Sequence, residues 1–357
     1  MKFLLCADLH IAEEEKDYSF GVLREIFALC SAENCGALFF AGDVFNSWAD
    51  MEALRAEFRG LAESLPSSCA AYFVPGNHEE LRGGPSANIG GFDFGRVRLL
   101  AQKPWQIETL CEGAELLALP FQKNYSGYRD WRVPSKKKPL RIALGHGTVP
   151  GIAYTGPDEE EPAGVLDADL FGFLDVDLAA LGHLHGGAQG RAGKTLIAYP
   201  GSARVWREGE TGPRRVLLGS DAPLPLRLEA VPLASAGEYR ALPLYVSPSG
   251  SLTVPENIRP SAQDWLKLEV SGFVEDERPV IQTLDRLKGE LEKKCRRVTV
   301  SHENLSVLAG LSSHPLALAF LKKWEEEAKK EGRGLELMNL ARLKGLAALK
   351  AILESRR

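Results

Sequence analysis

The chain opens with Phe3-Leu4-Leu5-Cys6-Ala7-Asp8-Leu9-His10, an apolar run of strand length that ends on two residues able to hold a metal. The same grammar returns four times. Leu38-Phe39-Phe40-Ala41 runs into Gly42-Asp43, and Tyr72-Phe73-Val74 runs into Gly76-Asn77-His78-Glu79. Ile142-Ala143-Leu144 precedes Gly145-His146-Gly147, and the apolar run 178–181 precedes Gly182-His183-Leu184-His185. Short apolar runs bounded by turn residues read as buried strands. A turn followed by Asp, Asn or His, repeated five times, predicts one site assembled at the ends of neighbouring strands.

Working outward, 19–31 has helical spacing at Phe20, Leu23, Phe27 and Cys30, and 50–64 reads as a second helix with Asp50 as its N-cap. The opening order is β-α-β-α-β, which predicts an α/β fold. The five glycines and one proline of 82–95 predict a loop or broken helix, and 97–100, 106–110 and 115–119 read as strands. Later core strands are expected at 195–199 and 216–218. A proline- and serine-rich boundary follows over 221–260, and then a β-α-β unit at 265–270, 279–294 and 297–300. The tail has Ser313 as an N-cap, Pro315 early in a helix, a break at Gly332 and Gly334, and a second helix over 335–353. This predicts three parts: 1–235, a capping unit at 236–310, and a helical hairpin at 311–357.

The bulk numbers narrow the class. At 357 residues with 45% hydrophobic and 25% charged content, the chain has the composition of a globular protein. Its apolar runs are too short to cross a bilayer, and the first strand leads straight into Asp8 without a secretory-type segment, so a cytoplasmic location is expected. Six scattered cysteines form no Cys-x-x-Cys pair, which argues against disulfides and thiolate zinc. A net charge of −5 argues against indiscriminate coating of nucleic acid, yet leaves room for local contacts. The stretch 123–139 reads first as a solvated loop, and it supplies Arg129, Arg132, Lys136 and Lys137 as candidate contacts to a phosphate backbone.

Asp8, His10, Asp43, Asn77, His146, His183 and His185 make a set of seven oxygen and nitrogen ligands without a thiolate. That is too many for one tetrahedral ion and suits two. Mixed imidazole and carboxylate ligation suits Mn, Fe or Zn better than Mg or Ca. Two such ions bind a phosphate and lower the pKa of a water between them. An Asp is the natural bridge. His78, beside Asn77, is left to protonate a leaving oxygen or steady phosphoryl charge.

In this order the motifs resemble the calcineurin-like metallophosphoesterases over about residues 1–220. The resemblance implies a two-sheet sandwich flanked by helices. It also implies one metal held by Asp8, His10, Asp43 and His185, and a second held by Asp43, Asn77, His146 and His183. Within that superfamily, Gly42-Asp43-Val44-Phe45 and Tyr199-Pro200-Gly201-Ser202, followed by Arg204 and residues 208–210, resemble the DNA-repair exonuclease branch, the SbcD type. This implies a nuclease that cleaves DNA with a metal-activated hydroxide and partners an SMC-like ATPase of the SbcC type through 311–357. A phosphatase or small-molecule phosphodiesterase of the same fold is the alternative. Glu79 stands where the branch usually has Asp, as in Ser/Thr phosphatases. The glycine-rich 82–95 replaces the helices that build the branch's homodimer, so the family's route to a dimer is not written here.

Overall fold

A computed structural model describes residues 1–81, 89–152, 164–221, 226–247, 250–255, 258–307, 314–328 and 335–354. The chain divides into two compact units, Met1–Glu238 and Tyr239–Arg357. In the first unit β1 (Lys2–Cys6), β2 (Ala37–Ala41), β3 (Ala70–Val74) and β4 (Val97–Leu99) form a parallel set. The chain then builds a second sheet from β5 (Gln106–Thr109), β6 (Ala114–Leu119), β7 (Leu140–His146), β8 (Leu178–Gly182), β9 (Ala188–Ala192) and β10 (Thr195–Tyr199). It returns to the first sheet with β11 (Arg215–Ser220) and β12 (Leu228–Pro232). The strand orders are β12-β11-β1-β2-β3-β4 and β5-β6-β7-β8-β10-β9.

The inner strands are apolar on both faces because each face is covered. Phe3, Leu5, Phe39 and Ala41 of the first sheet share one core with Leu116, Ile142, Leu144 and Ala180 of the second. On the outer side of the first sheet, Leu4, Leu38 and Phe40 meet α1 (Lys16–Ala32) and α2 (Trp48–Ala62) through Leu23, Phe27, Leu54 and Phe58. On the outer side of the second, Leu117, Ala143 and Leu181 meet α4 (Ala168–Phe173) through Leu170 and Phe171; α3 (Asn77–Leu81) is one short turn at the end of β3. Two sheets with helices outside both give the expected α/β sandwich. Continuous hydrophobic runs, rather than alternation, are what such doubly covered strands require.

Details depart from the sequence reading. The N-cap of α2 is Ser47, not Asp50: the Ser47 hydroxyl accepts the Asp50 amide at 3.1 Å, so Asp50 lies inside the first turn. β9 has no apolar signature, because it is a half-exposed hairpin partner of β10. Residues 82–88, half of the expected loop or broken helix at 82–95, and residues 153–163 lie outside the described residues, as do Ser313, Gly332 and Gly334.

In the second unit, β13 (Tyr239–Val246), β14 (Leu252–Thr253), β15 (Trp265–Val274) and β16 (Arg297–Val307) form a sheet ordered β14-β13-β15-β16. β13 runs parallel to β15 over eight register pairs, so the expected boundary segment supplies an inner strand. α5 (Arg278–Leu291) sets Val280, Leu284 and Leu291 into that sheet's core. α6 (Pro315–Ala328) and α7 (Leu335–Glu354) pack through Ala317 and Leu346 with Phe273 of β15. Among the described residues, no helix is long and apolar enough to cross a membrane.

Candidate metal centre

The predicted ligands sit where the strands of the first unit end. Asp8 and His10 follow β1, Asp43 follows β2, and Asn77 and His78 begin α3 just past β3. His146 closes β7, and His183 and His185 follow β8. Three groups bring their ligand atoms within 4.8 Å of one another: Asp8, His10 and His185; His10, Asp43 and His78; and Asp8, Asp43 and His146. Asn77 joins through Oδ1, 3.0 Å from His146 Nε2, and the His183 ring lies 5.3 Å from that of His146. All seven residues and His78 therefore meet in one place.

The local backbone explains the glycine-rich grammar. Gly42 has φ +85°, and a Cβ there would strike the His146 ring and approach the Gly76 Cα to 2.9 Å. A Cβ on Gly182 would press on the Ala41 carbonyl and come within 2.9 Å of the Ala7 Cβ. The two sheets can converge only because these positions carry no side chain. Asp8, His10, Asp43 and His183 themselves adopt positive φ, at 53°, 44°, 49° and 99°. Each such residue costs about 1–3 kcal/mol and persists where surrounding bonds over-determine it. Here the amides of Asp8, His10 and Ile11 are held by the carbonyls of Gly42, Asp43 and Val44 at 3.1, 2.9 and 2.8 Å.

Carboxylates organise the same loops. Buried Glu79 accepts the amides of Gly76, Asp43 and Phe45 at 2.8, 3.1 and 2.9 Å, tying the ends of β2 and β3 together. Asp43 accepts the His78 amide at 2.9 Å, and both oxygens of Asp8 accept the His183 amide. Glu210 accepts from His185 Nδ1 and from the Trp206 amide, which fixes the His185 ring and leaves its Nε2 facing His10 Nε2 at 3.1 Å. The Trp206 ring stacks on His10 at 4.0 Å with an 8° interplanar angle. Arg204, fully buried, donates to the carbonyls of Leu9 and His10 and to Glu15.

The electrostatics call for cations. Burial pushes Asp8 up to about 6, only partly offset by His146 and His185. Burial, then the Asp43 charge, pushes Glu79 up to about 8. Burial alone would also raise Asp43, but His146, with His10 and His78, outweighs it and holds this carboxylate well below the usual range. Burial works against a charged His146, yet Asp43 at 3.3 Å lifts it to about 9. Burial depresses His10 far below its ordinary value and His183 to about 3, so both present neutral imidazoles.

His146 Nδ1 lies 2.8 Å from the Ala41 carbonyl, which can only accept, so Nδ1 carries a proton. Below about pH 9 the second nitrogen is protonated too and its N–H faces Asp43 Oδ2 and Asn77 Oδ1; once that proton is lost, three acceptors face one another with no donor between them. Neutral imidazoles and destabilised carboxylates converging this way fit two divalent cations.

The four candidate DNA contacts belong to none of the three ligand groups. Lys136 Nζ pairs with Asp177 at 2.5 Å, Arg129 stacks on Tyr128 and faces Asp169 at 3.8 Å, and the Lys137 amide donates to Glu115. Arg132 is exposed. Sequence reading missed the roles of Trp206 and Glu15 and the bonding of Glu79. Glu79 could have been suspected from its place in the Gly-Asn-His-Glu cluster. Nothing local marks Trp206.

No curated protein matches this sequence. Among solved structures, a dimetal phosphatase from Danio rerio is 12% identical, with 66% of this chain and 96% of that chain covered and a TM-score of 0.41. GAP50, the anchor in the inner membrane complex of Plasmodium, is 13% identical, with 66% and 85% covered and a TM-score of 0.42. The sequence profile of the calcineurin-like phosphoesterases matches residues 1–187, the span that holds every ligand, and the chain belongs to that family.

Proposed function

We propose that this metal-dependent phosphoesterase uses Mn to cleave DNA phosphodiesters as a repair exonuclease and endonuclease. In this reading it works beside an SMC-like ATPase that residues 311–357 engage. One observation carries the proposal: the segment after β10 that resembles the exonuclease branch is built into the metal centre. Ser202 and Glu210 belong to it, and Glu210 holds His185 while Ser202 Oγ lies 3.4 Å from Glu210.

In this reading Asp8, His10, Asp43 and His185 hold one cation, and Asp43, Asn77, His146 and His183 hold the other. The chemistry that a cation pair supplies is charge neutralisation at phosphorus and activation of water. His78 donates through Nδ1 to the Asn46 carbonyl at 2.6 Å, which turns Nε2 toward the cleft, 3.9 Å from Asp43 Oδ2. From there it can give a proton to a leaving 3′ oxygen or steady charge on the phosphoryl group. Trp206 covers His10 and keeps water from that side of the cluster.

The test is cleavage of an end-labelled duplex under Mn, with and without the ATPase, beside hydrolysis of p-nitrophenyl phosphate and its diester. Duplex cleavage enhanced by the ATPase is expected. Glu79, placed as in Ser/Thr phosphatases, favours the second reading, and hydrolysis confined to small esters would establish it. His78→Ala should lower turnover at least about 100-fold while both metals stay bound. Loss of the metals from that variant, read by elemental analysis, would end the acid role for His78.

A further inference from the structure

The segment from the end of β10 through the first residue of β11 carries four arginines, and three of them are committed to the protein. Arg204 is spent on Leu9, His10 and Glu15. Arg214 donates to Ser202 Oγ at 3.0 Å and to the carbonyls of Thr211 and Gly212, and Arg215 donates to the Pro200 carbonyl at 3.2 Å. Arg207 differs. Its side chain is 36% exposed, and its ion pair with Glu210 is 3.7 Å long, beyond hydrogen-bond reach. Glu210 is meanwhile occupied by His185 and the Trp206 amide.

Arg207 lines the same cleft as Asp43, Asn77, His78 and His185, and among the described residues it is the one permanent cation in that lining. Its guanidinium lies over the Trp206 ring, 5.4 Å from the centroid. That indole is itself fixed by its stack on His10, and its backbone N–H donates to Glu210 at 2.8 Å. A flexible arginine is thus carried on a rigid plane attached to the ligand cluster, which limits the directions its fork can take.

We propose that Arg207 binds the phosphoryl oxygens of the substrate in this cleft, with Trp206 as the platform that sets its reach. A guanidinium can take two phosphoryl oxygens at once. Binding would exchange one long ion pair to Glu210 for short, charge-assisted bonds. The inference rests on the phosphoester reading of the site and adds to it the residue that recognises the phosphoryl group.

The experiment compares wild type, Arg207→Met and Arg207→Lys, all loaded with Mn and checked for metal content and melting temperature. Inorganic phosphate binding is read by calorimetry, and KM is read with bis-p-nitrophenyl phosphate. Methionine keeps much of the stem's bulk but no charge. It should weaken phosphate binding and raise KM about 10- to 100-fold, the range for a lost hydrogen bond to a charged group. Lysine should recover part of the loss, because it restores charge without the fork. Unchanged phosphate affinity in a fully metal-loaded Met variant overturns the proposal, as does wild-type protein that binds no phosphate. Phosphate affinity is read without turnover. Wild type that binds phosphate through Arg207 but hydrolyses no ester would uphold this residue's role and defeat the phosphoesterase reading alone.

Discussion

The loops at the ends of β1, β2 and β3 and those at the ends of β7 and β10 meet in one centre but are fastened by different chemistry. On the first sheet the ties are carboxylates. Glu79 gathers three amides from two loops, and Asp43 takes the His78 amide. On the second sheet carboxylates serve only the loop after β8, where Asp8 takes the His183 amide and Glu210 holds the His185 ring. At β7 and β10 the ties are neutral, and the Tyr199 hydroxyl donates to the Gly147 carbonyl at 2.9 Å and accepts the Val149 amide at 3.0 Å. His146 is anchored to the Ala41 carbonyl. The first sheet also supplies every oxygen ligand and three of the four ligand residues at positive φ. Strain and unbalanced charge are therefore concentrated on one side of the centre, and the other side offers it imidazoles. A bound cation would offset the charge on the first side and would be held on the second by neutral imidazoles.

Four measurements would break or sharpen that contrast. The largest effect is expected at Asp43, the carboxylate shared by two of the ligand groups. Asp43→Ala should empty both metal positions and lower phosphoester hydrolysis by about a thousand-fold or more. A variant that keeps two ions in elemental analysis would remove Asp43 as the bridge.

The next is the pH dependence of the metal-free fold. His146 sits at about 9, against an ordinary 6.5, so the stability gained from its charge is present below pH 6.5 and is lost as pH rises through 9. Glu79, raised to about 8, acts in the same direction, because its ionisation in the buried state costs stability as pH climbs toward 8. Metal-free protein should lose on the order of 3 kcal/mol between pH 6.5 and 9. Thermal melts that stay flat over that window would show that protons do not stand in for cations here.

Smaller effects test the fastenings. Glu210→Gln removes the carboxylate behind His185 and should weaken metal binding about 10- to 100-fold while the fold melts nearly as before. Unchanged affinity in a metal titration would show that the His185 ring needs no anchor. Tyr199→Phe leaves a buried carbonyl and amide unpaired on the neutral side and should cost about 1–3 kcal/mol of stability. Metal content should not change. A Tyr199→Phe protein that loses its metals would erase the distinction between the two sides.

Much of this was written locally. Five apolar runs, four ending in Gly and the first in Ala7, each followed by Asp, Asn or His, marked the strands and the ligands, because burial on both faces and turn chemistry act over a few residues. The segment around β13 hid its role. Its strand pairs with β15, about twenty-five residues on, and proline and serine nearby read as boundary. Ser47 lost the cap to Asp50 in the sequence reading because both residue types suit that position, and only the backbone geometry separates them.

The amino-acid sequence by itself determined the strand–turn–ligand pattern, the identity of the donor set and the number of cations it suits, since these depend on residue type and near spacing. Tertiary structure alone decided how the donors are held. The positive φ at Asp8, His10, Asp43 and His183 is enforced by bonds between loops, and Glu210 reaches His185 across twenty-five positions. Trp206 lies on His10 because two sheets bring together segments nearly two hundred residues apart. Such contacts depend on packing between elements, and no local pattern encodes them.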